Sequence, residues 1–227
     1  TLNDLLPPAI TEVDLVADTI VSFSASEGMF NNAFGTGAVD IADFNLDLYS
    51  NNGNASSAQI VNLSNTSQGA LTGGETTVLI GFVTDLLPSG SEEIELRPAS
   101  NNAIYDPAGN PMPQTMISAR VTLPDRLPPE IIAASASISN DNAYVIFTLT
   151  EGVYGVSETT TPVEPDDFAV EFIQNGGNAD SATVDYITNS MQFPVVGGED
   201  ILRCYLTIQG TPSGHERIYI RAKDNNS

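Results

Sequence analysis

Acidic residues supply most of the chemistry this sequence can offer: Asp and Glu total 29 against 7 Lys and Arg. They also recur in fixed contexts. Glu27 and Glu151 each close a strand-like run, in Ser26-Glu27-Gly28 and Thr150-Glu151-Gly152. Asp40 and Asp43 share a loop whose later counterpart carries Glu164 and Asp167, with Asp166 as an extra acid. Asp106 and Asn110 add two more side-chain oxygens in one turn. Calcium needs several hard oxygen ligands, and loops between strands provide them as carboxylates, Asn amides and carbonyls. Glu27, Asp40, Asp43, Asp106, Asn110, Glu151, Glu164 and Asp167 are therefore candidate calcium ligands, near a module end or at the junction with Asp125. A second reading leaves Asp and Asn as turn formers bonding their own backbone, with Asp43 and Asp167 capping the start of a strand. No loop has the tight alternating acid spacing of a dedicated calcium motif.

Other chemistries find less to stand on. His215 is the only histidine, in a Pro-Ser-Gly-His turn whose counterpart is Ser91, and it has no recurring serine or cysteine partner. Paired-acid hydrolysis requires an apolar cleft to raise one carboxyl pKa, and the chain has no Trp to line one. Lys223 is the only lysine, so an intramolecular Lys-Asn crosslink is impossible in the first half. Arg97 and Arg221 recur at one position and read as charge pairs with a neighbouring strand. Cys204 lies in the apolar run 201–206 and reads as a buried strand thiol. Asn-x-Ser/Thr at Asn54, Asn62, Asn65 and Asn225 reads as chance in an Asn- and Ser-rich chain. The expectation is a protein that is not an enzyme.

The elements that position these residues come from a repeat. Sliding the sequence by 124 positions aligns Gly53-Asn54-Ala55 with Gly177-Asn178-Ala179, Gly73-Gly74-Glu75 with Gly197-Gly198-Glu199, and Pro88-Ser89-Gly90 with Pro212-Ser213-Gly214, all without a gap. Only the N-terminal edge slips, since Leu6-Pro7-Pro8 matches Leu127-Pro128-Pro129 at 121. Within each copy the period is that of strands: 19–24 and 143–148 alternate apolar and polar residues, as do 44–48, 168–172, 94–96 and 218–220. Asn, Gly, Ser and Pro clusters separate them, and no sustained helical stripe exists. The Asn-rich turns at 51–54 and 175–178 supply the positive φ that hairpin connections demand. Many short strands with turn chemistry between them predict antiparallel β-sandwiches.

Composition bounds the partners. A formal net charge of -22 repels nucleic acid and anionic membranes. No run of 18 or more apolar residues exists and Thr1 does not begin a signal peptide, so the chain reads as a soluble excerpt of something longer. The missing disulfides do not argue for a cytosolic location. Pro124, Pro128 and Pro129 make a short, stiff linker between modules at 1–124 and 125–227.

A Pro-Pro opening, a strand ending in an acid (Glu27, Glu151), Asp-Phe before a strand (Asp43-Phe44, Asp167-Phe168) and a closing Tyr105-Asp106-Pro107-Ala108-Gly109-Asn110 together resemble the bacterial Ig-like modules found in tandem in S-layer, adhesin-like and other large secreted surface proteins. The resemblance covers essentially the whole chain. It implies two tandem Ig-like antiparallel β-sandwiches arranged end to end, the second C-terminally incomplete and lacking its last strand. The role implied is a structural or adhesive spacer or assembly module of an extracellular surface protein or filament, stabilised by calcium, with other copies or neighbouring modules as partners. The competing reading is a carbohydrate-binding or accessory module of a secreted polysaccharide-active enzyme. That reading predicts exposed rings on one sheet face; Tyr49, Tyr105, Tyr154 and Tyr219 are the available rings, and only Tyr154 has an aromatic counterpart, Phe30. An incomplete sandwich leaves an edge open for a strand from a neighbouring subunit, unless the chain simply ends there.

Overall fold

A computed structural model of the chain describes residues 2–156 and 160–223. It is all-β with antiparallel sheets, and it divides into two compact units, Thr1–Leu127 and Pro128–Ser227. Asp125 and Arg126 belong with the first unit, because Asp125 bridges to Ser89 and the Arg126 N–H donates to the Pro88 carbonyl at 2.9 Å. Among the described residues no helix is long and apolar enough to cross a membrane.

In the first unit the strands are β1 (Ile10–Ala17), β2 (Ile20–Met29), β3 (Phe44–Tyr49), β4 (Ala58–Ser64), β5 (Glu75–Thr84), β6 (Glu93–Pro98) and β7 (Val121–Thr122). They form two sheets, ordered β1-β2-β5-β4 and β3-β6-β7. The alternation read from sequence sets which side faces inward. Val21, Phe23 and Ala25 of β2, Val78, Ile80 and Phe82 of β5, and Phe44, Ile94 and Leu96 of the other sheet bury into one shared core. Phe23 meets Phe44 edge to face across it, with ring centroids 5.2 Å apart. Two sheets closing on one apolar layer are the arrangement of a sandwich.

The second unit carries β8 (Ser137–Ile138), β9 (Tyr144–Val153), β10 (Phe168–Ile173), β11 (Ala179–Asn189), β12 (Glu199–Gly210) and β13 (Arg217–Ala222). Its sheets are β11-β12-β9-β8 and β10-β13. The gapless repeat is reproduced in the pairing: Phe44 sits opposite Pro98 and Asn45 opposite Arg97, as Phe168 sits opposite Ala222 and Ala169 opposite Arg221. Phe147, Leu149, Leu202 and Cys204 form the core, with Phe168 and Ile220 partly buried against it. The Asn turns behave as expected: Asn51 and Asn175 both have φ 48°.

Candidate metal centre and the recurring carboxylates

Three acids converge in the first unit. Carboxylate oxygens of Asp4, Glu27 and Asp106 all lie within 4.8 Å of one another, Asp4 exposed, Glu27 half-buried and Asp106 buried. Each arrives from a different part of the chain. Asp4 stands just before Pro7-Pro8, its Oδ1 accepting from the Leu6 N–H at 3.0 Å. Downstream, Ala9 and Ser26 bond reciprocally, the Ser26 N–H to the Ala9 carbonyl at 2.8 Å and the Ala9 N–H to the Ser26 Oγ at 2.9 Å. That exchange draws the N-terminal segment alongside the end of β2, where Glu27 lies. Asp106 follows Tyr105, which is bonded to Phe30 through both backbone N–H groups, at 2.9 and 2.8 Å.

The turn that presents Asp106 depends on a glycine. Gly109 has φ 89°, and a Cβ there would stand 2.4 Å from the Ala33 carbonyl oxygen, so a side chain is excluded twice over. Asn110 closes the turn by donating its backbone N–H to Asp106 Oδ1 at 2.8 Å and its Nδ2 to Oδ2 at 2.7 Å. The same Nδ2 faces the carbonyl oxygens of Asp4 and Leu6, each at 3.3 Å. The three carboxylates thus meet beside an Asn110 amide that ties the Asp106 turn to the N-terminal segment. Glu27 titrates above its ordinary range, first because of burial and then because the Asp106 and Asp4 charges oppose its ionisation. The ion pairs of this unit lie elsewhere among the described residues, at Arg97–Asp47, Arg120–Glu93, Arg120–Glu95 and Arg126–Asp18. A hard, oxygen-only donor set of this charge fits calcium, and without His or Cys it does not fit zinc.

Of the eight ligands predicted from sequence, Glu27 and Asp106 are brought together, while Asn110 turns its Nδ2 donor to Asp106 Oδ2 and braces the turn. Asp4 was missed, although Asp125 repeats it: the Leu127 N–H bonds Asp125 Oδ1 at 3.0 Å, as Leu6 bonds Asp4. The signal lay in the slipped N-terminal register, where Asp4 and Asp125 each stand two positions before the Leu of Leu-Pro-Pro. Asp40 and Asp43 bracket a single 3-10 turn, Ile41–Asp43, Asp43 Oδ2 accepting from the Asp40 N–H and Asp40 Oδ1 from the Ala42 N–H, both at 2.8 Å. Glu164 and Asp167 repeat the arrangement, the Glu164 N–H reaching Asp167 Oδ2 at 2.8 Å. Glu151 lies within β9 and is half-buried. Asn225 falls outside the described residues.

Other recurring acids proved to hold backbone. Glu92 is wholly buried, accepting from the Ala55 N–H at 2.7 Å, the Ser89 N–H at 2.8 Å and the Ser89 hydroxyl at 3.2 Å. Its counterpart Glu216 accepts from the N–H groups of Asn178, Ala179, Ser213, Gly214 and His215, at 2.7 to 3.1 Å. Burial works against ionisation of Glu92, but the amides outweigh it and hold the group below its ordinary range. In Glu216 the Ala179 amide leads, with Ser213 and Asn178, and the pKa falls to about 2. Glu75 likewise accepts from the Thr72 and Gly73 N–H groups at 2.7 and 2.9 Å, and Glu199 from Val196 and Gly197 at 2.8 and 2.9 Å. These carboxylates are what the repeated Gly-Asn-Ala, Gly-Gly-Glu and Pro-Ser-Gly motifs are built around.

The recurring aromatic is also part of a turn. Phe30 and Tyr154 lie against the paired glycines: a Cβ at Gly74 would be 3.1 Å from the Phe30 ring, and one at Gly197 would be 2.9 Å from the Tyr154 ring. A different aromatic feature occupies the second unit, where Tyr144, Tyr205 and Tyr186 sit directly opposite one another on β9, β12 and β11. Tyr186 and Tyr205 stack face to face at 4.2 Å, and Arg203 lies 4.4 Å over the Tyr144 ring. Tyr186 remains 48% exposed, so this row keeps one ring open to solvent. The expected cross-strand pair of Arg97 forms with Asp47 at 2.9 Å, whereas Arg221 donates to the Ala222 carbonyl at 3.4 Å. The chain matches no protein-family model and no curated protein.

Proposed function

We propose that the chain is a structural repeat of an extracellular surface protein, two tandem Ig-like β-sandwiches acting as a spacer or assembly unit, whose first unit is stabilised by calcium at Asp4, Glu27 and Asp106. The observation that carries the calcium reading is the convergence of those three carboxylates to within 4.8 Å of one another. The spacer reading rests on the resemblance to bacterial Ig-like modules and is supported by the use of the recurring acids. In both units Glu92 and Glu216, Glu75 and Glu199, and Asp43 and Asp167 hold turns together by accepting from backbone N–H groups.

Bound calcium would supply the positive charge that relieves repulsion among the three acids. Asp4, Glu27 and Asp106 would be its carboxylate ligands, joining the N-terminal segment, the end of β2 and the closing turn. Protons compete for the same oxygens, so affinity weakens on acidification as Glu27, raised above its ordinary 4.5, takes up a proton.

The test is thermal unfolding of the chain in calcium, in magnesium and in excess chelator, at one ionic strength because so acidic a surface gains from any salt. Calcium at 100 times its dissociation constant stabilises the first unit by about 2.7 kcal/mol, or an upward shift of about 10 °C. The shift should vanish in Asp4→Asn and Glu27→Gln. An equal response to magnesium, or a calcium shift retained in both variants, refutes the assignment.

A further inference from the structure

We propose that Tyr186 and Tyr205 form a modification site, a preset pair that a one-electron oxidant joins into dityrosine, fastening the outer strand β11 to β12. The two residues sit directly opposite one another in the antiparallel pairing, with their ring centroids 4.2 Å apart and their planes within 11° of parallel. Side chains on one sheet face stand roughly perpendicular to it, so the two phenols point outward side by side, and the ring carbons next to each hydroxyl meet across the stack. The Tyr186 phenol titrates above its ordinary range, first through desolvation and then through the charge and hydrogen bond of Tyr205, which fits hydroxyls held together. Tyr186 is also exposed, within reach of an oxidant in solution. Rings held in contact couple as one body, without the encounter that two free phenols need.

The fold does not require these rings. Ile20, Asn62 and Gly81, 124 positions before Tyr144, Tyr186 and Tyr205, hold the same register in the first unit, Ile20 and Asn62 both opposite Gly81. That sandwich closes without an aromatic row. In the second unit β11 is an outermost strand of its sheet, paired with β12, and a chain with one cysteine has no internal disulfide to hold it. The coupling balances in atoms and electrons. Each phenol gives up one electron and one proton, the two radicals join through carbons ortho to oxygen, and the two ring hydrogens at the new bond move to the oxygens to restore the phenols. Hydrogen peroxide acting through a haem peroxidase takes the two electrons and two protons and leaves as two waters. Tyr144 is the poorer partner for Tyr205, its ring 5.4 Å away and tilted by 52°, with the Arg203 guanidinium 4.4 Å over it.

The test treats the dilute intact chain with a haem peroxidase and hydrogen peroxide, then follows dityrosine fluorescence, the mass of the monomer and its digested peptides. The expected product is a monomer lighter by two hydrogen atoms whose linked peptides join Tyr186 to Tyr205. Closing that loop restricts the opened chain, so amides of β11 should exchange at least about tenfold more slowly once the pair is joined. Tyr186→Phe and Tyr205→Phe each keep a ring in the stack but lose the phenolic hydrogen, and each should lose the product, whereas Tyr144→Phe should keep it. Urea midpoints of the three variants, matched to the parent chain, establish that the second unit is folded in each. The proposal is overturned if other tyrosines are linked in place of this pair, if linkage occurs only between chains, or if the intrachain product survives in Tyr186→Phe. Oxidation that leaves the pair unjoined, or a joined chain whose β11 exchanges no more slowly, overturns it equally.

Discussion

Replacing Glu92 by Ala should unfold the first unit at markedly lower denaturant while leaving the second in place. The carboxylate accepts three hydrogen bonds, from the Ala55 and Ser89 N–H groups and the Ser89 hydroxyl, and neither Glu92 nor Ala55 is exposed to water at all. A bond to a charged acceptor contributes about 1.5–3 kcal/mol, and a buried N–H left without a partner costs a further 1–3, roughly. Removing the charge returns part of its own burial cost, so the net loss is about 3 kcal/mol. With a urea slope of about 2 kcal/mol/M the midpoint falls by about 1.5 M. The assay is urea unfolding read by hydrogen exchange in peptides spanning 50–57 and β6, which separates the two units. Glu216→Ala is the internal comparison: its site is half-exposed, so water replaces the lost acceptor and the second unit's midpoint should move less. A fall below about 0.3 M in Glu92→Ala, or unaltered protection of the Ala55 amide, would refute the reasoning.

Three further outcomes follow from the geometry. Glu216, lowered from 4.5 to about 2, contributes stability that is complete above its unfolded value and lost as pH falls through about 2. Acid unfolding of the second unit between those limits should therefore flatten in Glu216→Gln. Gly28→Ala and Gly152→Ala each drive a Cβ into a backbone carbonyl, 2.8 Å from Gly74 O and 2.4 Å from Gly198 O. Each should destabilise its own unit by about 2 kcal/mol, more at Gly152, as read by urea midpoints. Burial pushes the Cys204 thiol up to about 12, so a disulfide reagent at pH 8 should label it only at the rate at which the second unit opens. Rapid labelling of the folded chain would contradict that environment.

Strand periodicity was legible because alternation is local: two residues of sequence decide a face. The turns were legible for the same reason, Asn51 and Asn175 adopting positive φ where the Asn-rich runs demanded it. What the sequence hid was the partner of each acid. Glu92 stands in Glu92-Glu93-Ile94-Glu95, which reads as a solvated face, and its burial depends on Ala55, 37 residues away. Asp4 was obscured because the repeat slips by three residues at its N-terminal edge, so a comparison at the dominant offset never sets it against Asp125. Asp43 and Asp167 had two readings open, and the backbone donors beside them favour capping. The tyrosine row at Tyr144, Tyr186 and Tyr205 needed a register across three strands that no single strand contains.

Glu92 also constrains which pairings of β3 and β6 are possible. A slip by one residue would turn Ile94 and Leu96 outward and is penalised by the core. A slip by two keeps every side chain on its own face, and apolar burial scarcely distinguishes it from the native alignment. Glu92 does distinguish it: the strand rise would carry the carboxylate about 7 Å from the Ala55 amide and leave an unsolvated charge behind. One inward-pointing acid at the mouth of the strand thus acts as an indexing pin, making near-native sheets with a whole pleat of error costly intermediates and not resting places on the way to the folded unit.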